Sequence, residues 1–442
     1  MGEPAMHAII VGAGIGGLAT ARGLRLRGWD VTVFERQPVL EAAGAGLSLW
    51  PNALRALDWL GVGDRVRAAG APITGGGLRT ARGTWLSRVD PSAHITSGPL
   101  AIHRADLHEI LAEDLRVGTA TAVTDVRALD ADLIVGADGI GSVVRAEYAP
   151  QIRIRDSGQV SWRSVVHVPG LSSMSGGELM GGGQATGGGQ ATGGAQVMGG
   201  GESVGPGGRR FGYAPLRHGV YWYAAVPGPL RTTSAREQLD ELRRMFAGWH
   251  DPIAALLKAT DPARLLHHPL LDLQPVAPMR FGDRVALVGD AAHAMTPNLG
   301  QGACQALEDA VTLAALVGPV AGRSPAWTGG AGPGTGGAEP RTGGARAGEP
   351  GAGGRSIAAA LAEYDRVRRP RVAMVARRSW QVGQIAGSRN ALVGALFNVA
   401  ARVTPARLTV RSAERIAAWN PPPAPKHTPL HRSSTGPKNE HH

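Results

Sequence analysis

The chain has 442 residues, 43% of them hydrophobic, which predicts two or three domains whose cores need neither disulfides nor metals. Its single cysteine, Cys304, excludes a disulfide framework and a cysteine zinc site, and no run reaches the ~20 apolar residues of a membrane span. The net charge of +11 comes from arginines scattered along the chain rather than from a clustered patch, which argues against nucleic-acid binding.

The N-terminal segment predicts a strand, a turn, a helix and a second strand. His7–Val11 has the apolar pattern of a short buried strand, and Gly12–Gly17 is a glycine-rich turn. Leu18–Arg27 places leucine and alanine on one helical face, and Gly28 ends that helix. Asp30–Phe34 is rich in β-branched residues and predicts the second strand.

The turn between these elements matches the pattern Gly-x-Gly-x-x-Gly. Gly12 allows the tight turn, Gly14 lets the backbone approach a pyrophosphate, and Gly17 allows the helix to pack closely on the strand. Glu35 ends the second strand, where a carboxylate accepts hydrogen bonds from ribose hydroxyls. The motif predicts a dinucleotide site and does not by itself distinguish FAD from NAD. The residues assigned to it are Gly12, Gly14, Ile15, Gly16, Gly17 and Glu35.

After residue 50, predicted helices alternate with a buried strand, and a region of consecutive predicted strands follows. The sequence predicts helices at Asn52–Leu60 and Arg104–Leu115, and a buried strand at Asp132–Val135 that runs into Asp138-Gly139. Gln159–Val226 contains short runs of aromatic and β-branched residues, which predict an antiparallel sheet.

The C-terminal half predicts four more helices and one strand. The helices are Ala235–Phe246, Ile253–Ala259, Gly302–Val317 and Ile357–Ala376, and the buried strand Arg284–Val288 leads into Gly289-Asp290. Three segments are expected to be flexible because they bury little apolar surface: the glycine-rich insertions 175–208 and 327–355, and the proline-rich tail 420–442.

Two longer motifs carry a family resemblance. They are LIVGADGIGSVVR, which contains Asp138 and Gly139, and RVALVGDAAHAMTPNLGQGACQALEDA, which covers residues 284–310. Together with the glycine turn they make the chain resemble the single-component FAD-dependent monooxygenases of the aromatic-hydroxylase type. That resemblance implies an α/β fold, with a Rossmann-like FAD-binding domain, an inserted antiparallel-sheet substrate domain and C-terminal helices.

The resemblance also implies a discontinuous domain order. The expected FAD-binding domain comprises 1–70, 99–158 and 275–326, and the substrate domain comprises 71–98 and 159–274. A C-terminal helical region is expected at 356–419, between the second glycine-rich insertion and the tail.

Residue roles follow from the resemblance position by position. It implies that Asp290 bonds the ribitol chain of FAD, and that Arg104 reaches its phosphate or ribitol region. Asp138 and Gly139 would lie near the pyrophosphate and help NADH or NADPH to dock transiently. The residues implied to line the isoalloxazine ring, and assigned as catalytic, are Pro297, Gly300, Gln301 and Gly302. The sequence adds one reason of its own, since the Gly300–Gly302 turn precedes a helix whose N-terminus would stabilise a reduced, anionic flavin.

Several residues keep two interpretations. Arg36 either touches the adenosine ribose or is solvated, and His293 is either a general base or, more often in such settings, a packed histidine. Cys304 is interpreted as a small buried hydrophobe and His267-His268 as a turn or surface pair. In the family that the chain resembles, the inner face of the antiparallel sheet meets the flavin ring, so the resemblance makes Arg163, Arg210 and Tyr213 candidates for binding an acidic or phenolic substrate.

The function implied by the resemblance is hydroxylation of a small aromatic or heteroaromatic substrate. FAD would be the cofactor, NADH or NADPH and O2 the co-substrates, and a C4a-hydroperoxyflavin the oxygenating species. The alternatives are a degenerate FAD-binding protein with little turnover, or an epoxidase of an apolar substrate. We expect a cytoplasmic monomer or homodimer with no metal, no nucleic-acid partner and no integral membrane segment.

Overall fold

Two large β-sheets and a set of helices organise the described part of the chain. The computed structural model describes residues 6–40, 45–73, 75–89, 98–167, 200–318 and 356–424. No helix within these ranges is both long and apolar enough to cross a membrane.

The first sheet has six strands in the order β15-β16-β9-β1-β2-β8. All neighbours pair in parallel except β15, which runs antiparallel to β16. The central strands are buried on both faces because helices cover them, which explains their continuous apolar runs. The strands are β1 His7–Val11, β2 Asp30–Phe34, β8 Val117–Gly118, β9 Leu133–Gly136, β15 Arg280–Phe281 and β16 Val285–Leu287.

The second sheet has seven strands in the order β14-β10-β13-β12-β11-β5-β6, and only the β11–β5 pair is parallel. Its strands are β5 Gly76–Thr80, β6 Trp85–Val89, β10 Arg153–Val166, β11 Gly200–Val204, β12 Arg210–Leu216, β13 Gly219–Pro227 and β14 Leu266–Gln274. A small third sheet, ordered β3-β7-β4, lies between the two. It consists of β3 Gly46–Leu49, β4 Ala71–Pro72 and β7 Leu100–His103.

Twelve α-helices complete the described ranges. They are α1 Ile15–Arg25, α2 Pro51–Trp59, α3 Gly63–Ala69, α4 Arg104–Ala112, α5 Val143–Tyr148, α6 Ala235–Met245, α7 Ile253–Lys258, α8 Asp290–His293, α9 Gly302–Val317, α10 Ile357–Ala386, α11 Ala391–Val403 and α12 Ala406–Ala417. Helices α1 and α9 pack closely through small residues, since a Cβ on Gly23 would lie 2.9 Å from the Ala314 Cβ.

The long helix α10 ties the two sheets together. The Tyr364 hydroxyl donates to the Leu287 carbonyl in the first sheet at 2.9 Å. At the other end of the helix, the Gln159 side-chain amide donates to the Gly383 carbonyl at 3.0 Å, which anchors strand β10. Arg155 forms a bidentate pair with Asp272 and stacks on a Trp380 ring from the same helix, 3.4 Å from the ring centroid. The helix therefore fixes how the second sheet sits over the first.

Most predicted elements are confirmed, and the differences have local causes. Strands β1 and β2 and helix α9 have the predicted bounds, and the remaining helix and strand ends shift by a few residues. Helix α10 is longer than predicted and reaches Ala386 despite an internal Pro370. Strand β10 begins at Arg153, six residues before the expected domain boundary.

The prediction for the first glycine-rich insertion is wrong in its last part. Residues 200–204 form strand β11 between β12 and β5 instead of a flexible loop. Its glycines allow close backbone pairing, because a Cβ on Gly76 would lie 1.7 Å from the Gly200 carbonyl oxygen. Residues 168–199, the insertion 327–355 and the tail beyond residue 424 lie outside the described residues.

Candidate functional site

The glycine turn at the start of α1 has one packed side and one open side. A Cβ on Gly17 would lie 2.0 Å from the Gly12 carbonyl oxygen, and one on Gly12 would lie 2.5 Å from that of Ala137. Gly12 also has a φ of +104°, which disfavours any side chain. Around Gly14, by contrast, nothing lies within 4 Å of an added Cβ. The turn thus presents bare backbone at the helix N-terminus, and no side chain of the described residues caps that helix.

Glu35 is held against this turn. One of its carboxylate oxygens accepts a hydrogen bond from the Ala13 backbone at 2.9 Å, and the other accepts one from the Gln37 backbone, also at 2.9 Å. The side chain is half-buried, so free lone pairs remain for a ribose hydroxyl. Its neighbour Arg36 is exposed, and nothing in the described residues favours the ribose interpretation over the solvated one.

The two later motifs converge on the same turn. A Cβ added to Gly12 would lie 2.9 Å from the Cα of Asp138, and one added to Gly16 would lie 4.0 Å from the Cα of Gly289. One carboxylate oxygen of Asp138 accepts from the Val143 backbone at 2.7 Å and so begins α5. Its other oxygen is buried without a partner among the described residues, and Gly139 next to it faces open space.

Arg104 and Asp290 lie close to each other beside this convergence. Arg104 opens α4, and burial lowers the pKa of its guanidinium, an effect that the Asp290 carboxylate partly offsets and nearby Arg163 reinforces. Asp290 is exposed at the start of α8, directly after Gly289, whose φ of +59° makes the sharp turn. Neither side chain forms a hydrogen bond within the described ranges, so both can bind a ligand.

The second uncapped helix N-terminus belongs to α9. Gly300 adopts a left-handed conformation with φ +61°, and Gly302 has open space around it. Pro297 and Gly300 are exposed, and no described side chain caps the helix. The first turn contains no acidic residue to neutralise the partial positive charge of its N–H groups. The predicted ring-lining glycines, Gly300 and Gly302, therefore present backbone to the site.

Gln301 also presents its backbone to the site, because its side chain points into the protein. Its carbonyl oxygen accepts from Asn52 at 3.0 Å and from Gln305 at 3.1 Å. The Asn52 amide also donates to Glu308 at 2.6 Å. All four side chains are buried, so Gln301 fixes the turn from below while its backbone faces the site.

Buried charges extend this network to α10. Arg368 donates to Asp309 at 2.8 Å and also pairs with Glu308, while Arg371 donates to both Glu308 oxygens at 2.6 and 2.7 Å. Because all but Arg371 are fully buried, each charge depends on its partners. Asn52, Glu308, Asp309, Arg368 and Arg371 were not predicted, and their only signal in the sequence is an acidic pair and arginines on otherwise apolar helices.

His293 is one of these packed residues rather than a base open to the site. It is fully buried, and its Nε2 lies 2.6 Å from an Asp309 oxygen that also accepts from the Gly289 backbone at 3.0 Å. Burial raises the pKa of Asp309, but His293, Arg368 and these hydrogen bonds outweigh it and hold the pKa below its ordinary value. Asp309 thereby fixes the turn that presents Asp290.

Cys304 behaves as a buried apolar residue, as the sequence predicts. It is fully buried in α9, and burial raises the pKa of its thiol to about 12. No group of three or more histidine, cysteine, aspartate or glutamate side chains that could hold a metal occurs in the described ranges.

One face of the second sheet looks towards this site. The strand register places Arg163 opposite Tyr223, and Val165 opposite Tyr221, on one face. The Tyr221 ring lies against Gly46 of the third sheet, where an added Cβ would come within 2.4 Å of it. Because Arg163 also lowers the pKa of Arg104 at the start of α4, this face is turned towards the elements around the glycine turn.

Arg210 lies on the same face and has an unused donor. It is 2% exposed, donates to Gln159 at 3.1 Å and lies 3.7 Å from Glu202. Its Nε is buried without a partner among the described residues. Tyr223 donates to Glu202, and burial with that carboxylate raises the tyrosine pKa well above 10, so its hydroxyl keeps its proton.

Two sequence predictions about this sheet are wrong. Tyr213 points to the opposite face and packs with Trp222 and Phe211 against α6, because its position in β12 has the other parity. His267 and His268 lie in strand β14, so the turn interpretation is wrong, although His268 is exposed as the surface interpretation expects. The His267 ring stacks on Trp162 at a centroid distance of 4.4 Å, and burial lowers its pKa to about 4.

Comparison with known proteins agrees with this geometry. The sequence profile of a family described as "FAD binding domain" matches residues 5–125 and 97–324. The chain is 35% identical over 332 residues to "Aurachin C monooxygenase/isomerase" of Stigmatella aurantiaca, covering 69% of this chain and 79% of the relative. It is 32% identical over 337 residues to "FAD-dependent urate hydroxylase" of Klebsiella pneumoniae, covering 70% and 81%.

Solved structures share the fold. The Klebsiella pneumoniae protein HpxO, complexed with FAD and uric acid, superposes with a TM-score of 0.74 at 25% identity. The match covers 93% of this chain and 97% of that protein. The tetrameric form of 2-methyl-3-hydroxypyridine-5-carboxylic acid oxygenase has a TM-score of 0.67 at 22% identity, covering 95% and 98%.

Proposed function

The chain belongs to the family of FAD-dependent, aromatic-type monooxygenases, and from that premise we propose that it hydroxylates a small ring compound carrying an acidic oxygen. It is a flavin monooxygenase, an oxidoreductase that uses FAD. The observation that carries the proposal is the buried Arg210, whose unpaired Nε lies on the sheet face that is turned towards the nucleotide-binding elements. A buried guanidinium with a spare donor favours an anionic or strongly polar oxygen.

The residues present fit FAD. The open space at Gly14, Gly139 and Gly302 leaves bare backbone where phosphate and ring could approach, while the glycines between strand and helix are packed. The partnerless Asp138 oxygen lies beside this space. In this arrangement Gly14–Gly17 would bind the pyrophosphate and Glu35 the ribose.

The remaining contacts would come from the elements that converge on the turn. Arg104 and Asp290 would bind the phosphate and ribitol region, and the turn Gly300–Gly302 would lie at the pyrimidine edge of the ring. When bound, FAD supplies the redox chemistry, accepting a hydride from NADH or NADPH and activating O2 for transfer of one oxygen atom.

The protein's own contribution at that edge is electrostatic. The free N–H groups at the start of α9 stabilise negative charge on the ring, and the buried network below them keeps the turn in place. Because the helix end is already oriented, it pays no reorganisation cost when charge develops.

The substrate would lie between this turn and the second sheet. Tyr221 and Tyr223 offer an aromatic wall on this face, Arg163 offers a cation, and Arg210, which is paired with Glu202, offers its free Nε–H donor. This combination favours a flat heteroaromatic or phenolic ring over the apolar substrate of an epoxidase. Relatives named for urate and for 2-heptyl-3-hydroxy-4(1H)-quinolone are consistent with a heteroaromatic ring.

A substrate screen tests this proposal. Purified chain loaded with FAD is mixed with NADH or NADPH and a panel of urate, hydroxyquinolones and hydroxybenzoates, while O2 uptake and product mass are followed. We expect at least one ring compound to stimulate reductant consumption and to gain one oxygen atom. A chain that binds FAD but shows no stimulated turnover on any of them would favour the degenerate alternative.

A matched pair of variants tests the role of Arg210. Arg210→Gln should raise KM about tenfold or more without weakening FAD binding, because it removes the cation from the substrate side. Arg209→Gln is the control, since that side chain instead donates to the Met245 carbonyl. Equal effects of the two variants would contradict the assignment.

A further inference from the structure

The outer surface of helix α11 is apolar and exposed. Leu392, Leu396, Val399 and Val403 are 67%, 61%, 57% and 72% exposed, and they recur at intervals of four, three and four residues. With 3.6 residues per turn, these side chains fall within about 60° of one another around the helix. They form a continuous stripe, which is called the α11 stripe below.

The helix contributes little to the protein's own core. None of its residues is buried, although Asn398 and Arg402 are its only polar residues. Asn398 is neutral and half-buried, and Arg402 is the one charged residue of the helix and is exposed. A helix so apolar yet so exposed is expected to have a surface that covers it.

The surroundings of the stripe are basic. Between residues 389 and 417 there are five arginines and one acidic residue, Glu414. Arg407, Arg411 and Arg415 recur every four residues on the exposed side of α12. Helices α11 and α12 follow each other in the chain and both pack against strand β6, so the two helices are neighbours.

We propose that α11 and α12 form a docking surface for an anionic lipid bilayer, with the α11 stripe inserted among the acyl chains and the arginines on the headgroups. A helix with an exposed apolar stripe lies in the plane of such an interface, and the arginines of the neighbouring α12 would reach the headgroups. Each arginine near an anionic surface adds to the affinity, so binding depends on both charge and stripe. A second copy of the chain fits less well, because a symmetric contact would bring identical arginines together.

Vesicle sedimentation of the FAD-loaded full chain tests this inference. We expect binding to vesicles containing phosphatidylserine, much weaker binding to vesicles of phosphatidylcholine alone, and loss of binding at high salt. The double variant Leu396→Asp/Val399→Asp should reduce the affinity for phosphatidylserine vesicles at least tenfold. Val39→Asp/Ile154→Asp is the control, since those side chains are exposed in the loop after β2 and in strand β10 and the change in net charge is the same.

Charge is tested separately. The triple variant Arg407→Glu/Arg411→Glu/Arg415→Glu should lose the preference for phosphatidylserine, whereas Arg116→Glu/Arg236→Glu/Arg369→Glu, with the same change in net charge, should keep it. FAD absorbance confirms that each variant is folded, and this readout is independent of substrate turnover. Two results would overturn the inference: unchanged vesicle binding in the stripe variant, or a lipid-independent dimer that Leu396→Asp/Val399→Asp dissociates.

Discussion

The N-termini of helices α1 and α9 both present uncapped backbone, but different interactions hold them in place. The α1 end is shaped by backbone alone: Gly12 and Gly17 pack against neighbouring main chain, and Gly14 is left bare. The α9 end is held in place by buried side chains from three other segments, among them Asn52 and Arg368. The first kind of site is encoded within a few adjacent residues, and the second only by residues far apart in the chain.

The largest expected effect is a loss of stability when the buried ion pairs between α9 and α10 are broken. Arg368→Met leaves the buried carboxylates of Glu308 and Asp309 short of a counterion, so the free energy of unfolding should fall by about 3–5 kcal/mol. Urea unfolding followed by circular dichroism measures it. Arg369→Met is the control, because Arg369 is the next residue in the helix and its side chain is exposed. A loss below about 1 kcal/mol in Arg368→Met would show that the network is not essential.

A substitution that disrupts the glycine turn at the start of α1 should weaken FAD binding. In Gly17→Ala the added Cβ would lie 2.0 Å from the Gly12 carbonyl oxygen, so the strand, turn and helix must move apart. We expect FAD affinity to fall about 100-fold, equivalent to about 2.7 kcal/mol, as measured by quenching of flavin fluorescence. Gly394→Ala, in α11 rather than in the FAD motifs, where an added Cβ meets nothing within 4 Å, should bind FAD normally. Normal binding by Gly17→Ala would contradict the backbone account.

A smaller loss of FAD affinity is expected from a substitution of Glu35, which is held against the same turn. Glu35→Gln keeps the size of the side chain but removes the charge that accepts from Ala13 and would accept from the ribose. FAD affinity should fall about tenfold, or about 1.4 kcal/mol, while stability changes little. Calorimetric titration measures the affinity, and Glu109→Gln, an exposed glutamate on α4, serves as its control. A tenfold loss in both variants would point to general electrostatics instead of a ribose contact.

The smallest effect concerns Cys304 in the first turn of α9. Since burial raises its thiol pKa to about 12, only about one thiol in a thousand is ionised at pH 9. The folded protein should therefore resist iodoacetamide at that pH, and urea-unfolded protein should react rapidly. Mass spectrometry of the labelled chain distinguishes the two. Rapid labelling of the folded chain would show that the helix end lowers the thiol pKa more than burial raises it.

The sequence predicted the first helix end well and the second only in outline. Strands β1 and β2, the turn and Glu35 lie within one short segment, where local pattern determines structure. The Gln301 side chain, by contrast, turns away from the predicted ring-lining position because Asn52 and Gln305 bind it. The Gln301–Gln305 contact follows the i, i+4 spacing of a helix, but no spacing rule connects Asn52 to them, since it meets them only once α2 has packed on α9.

The same limit explains the errors in the second sheet. Tyr213 belongs to an aromatic run, and only the strand register decides which face it occupies. Strand β11 was missed because its glycines resemble a flexible insertion, and only the partners β5 and β12 make it a strand. Arg210 was a candidate because the family resemblance places one face of this sheet at the flavin ring, but its burial and spare donor depend on Gln159 and Glu202.

The central claim is that these two helix ends bind opposite parts of one FAD molecule. A crystal structure of the FAD-loaded chain tests it most directly. The claim predicts the pyrophosphate against Gly14–Gly17 and the pyrimidine edge of the ring within hydrogen-bond distance of the backbone N–H groups at Gly300–Gly302. A flavin whose ring lies away from the α9 turn, with its phosphates still on α1, would contradict it.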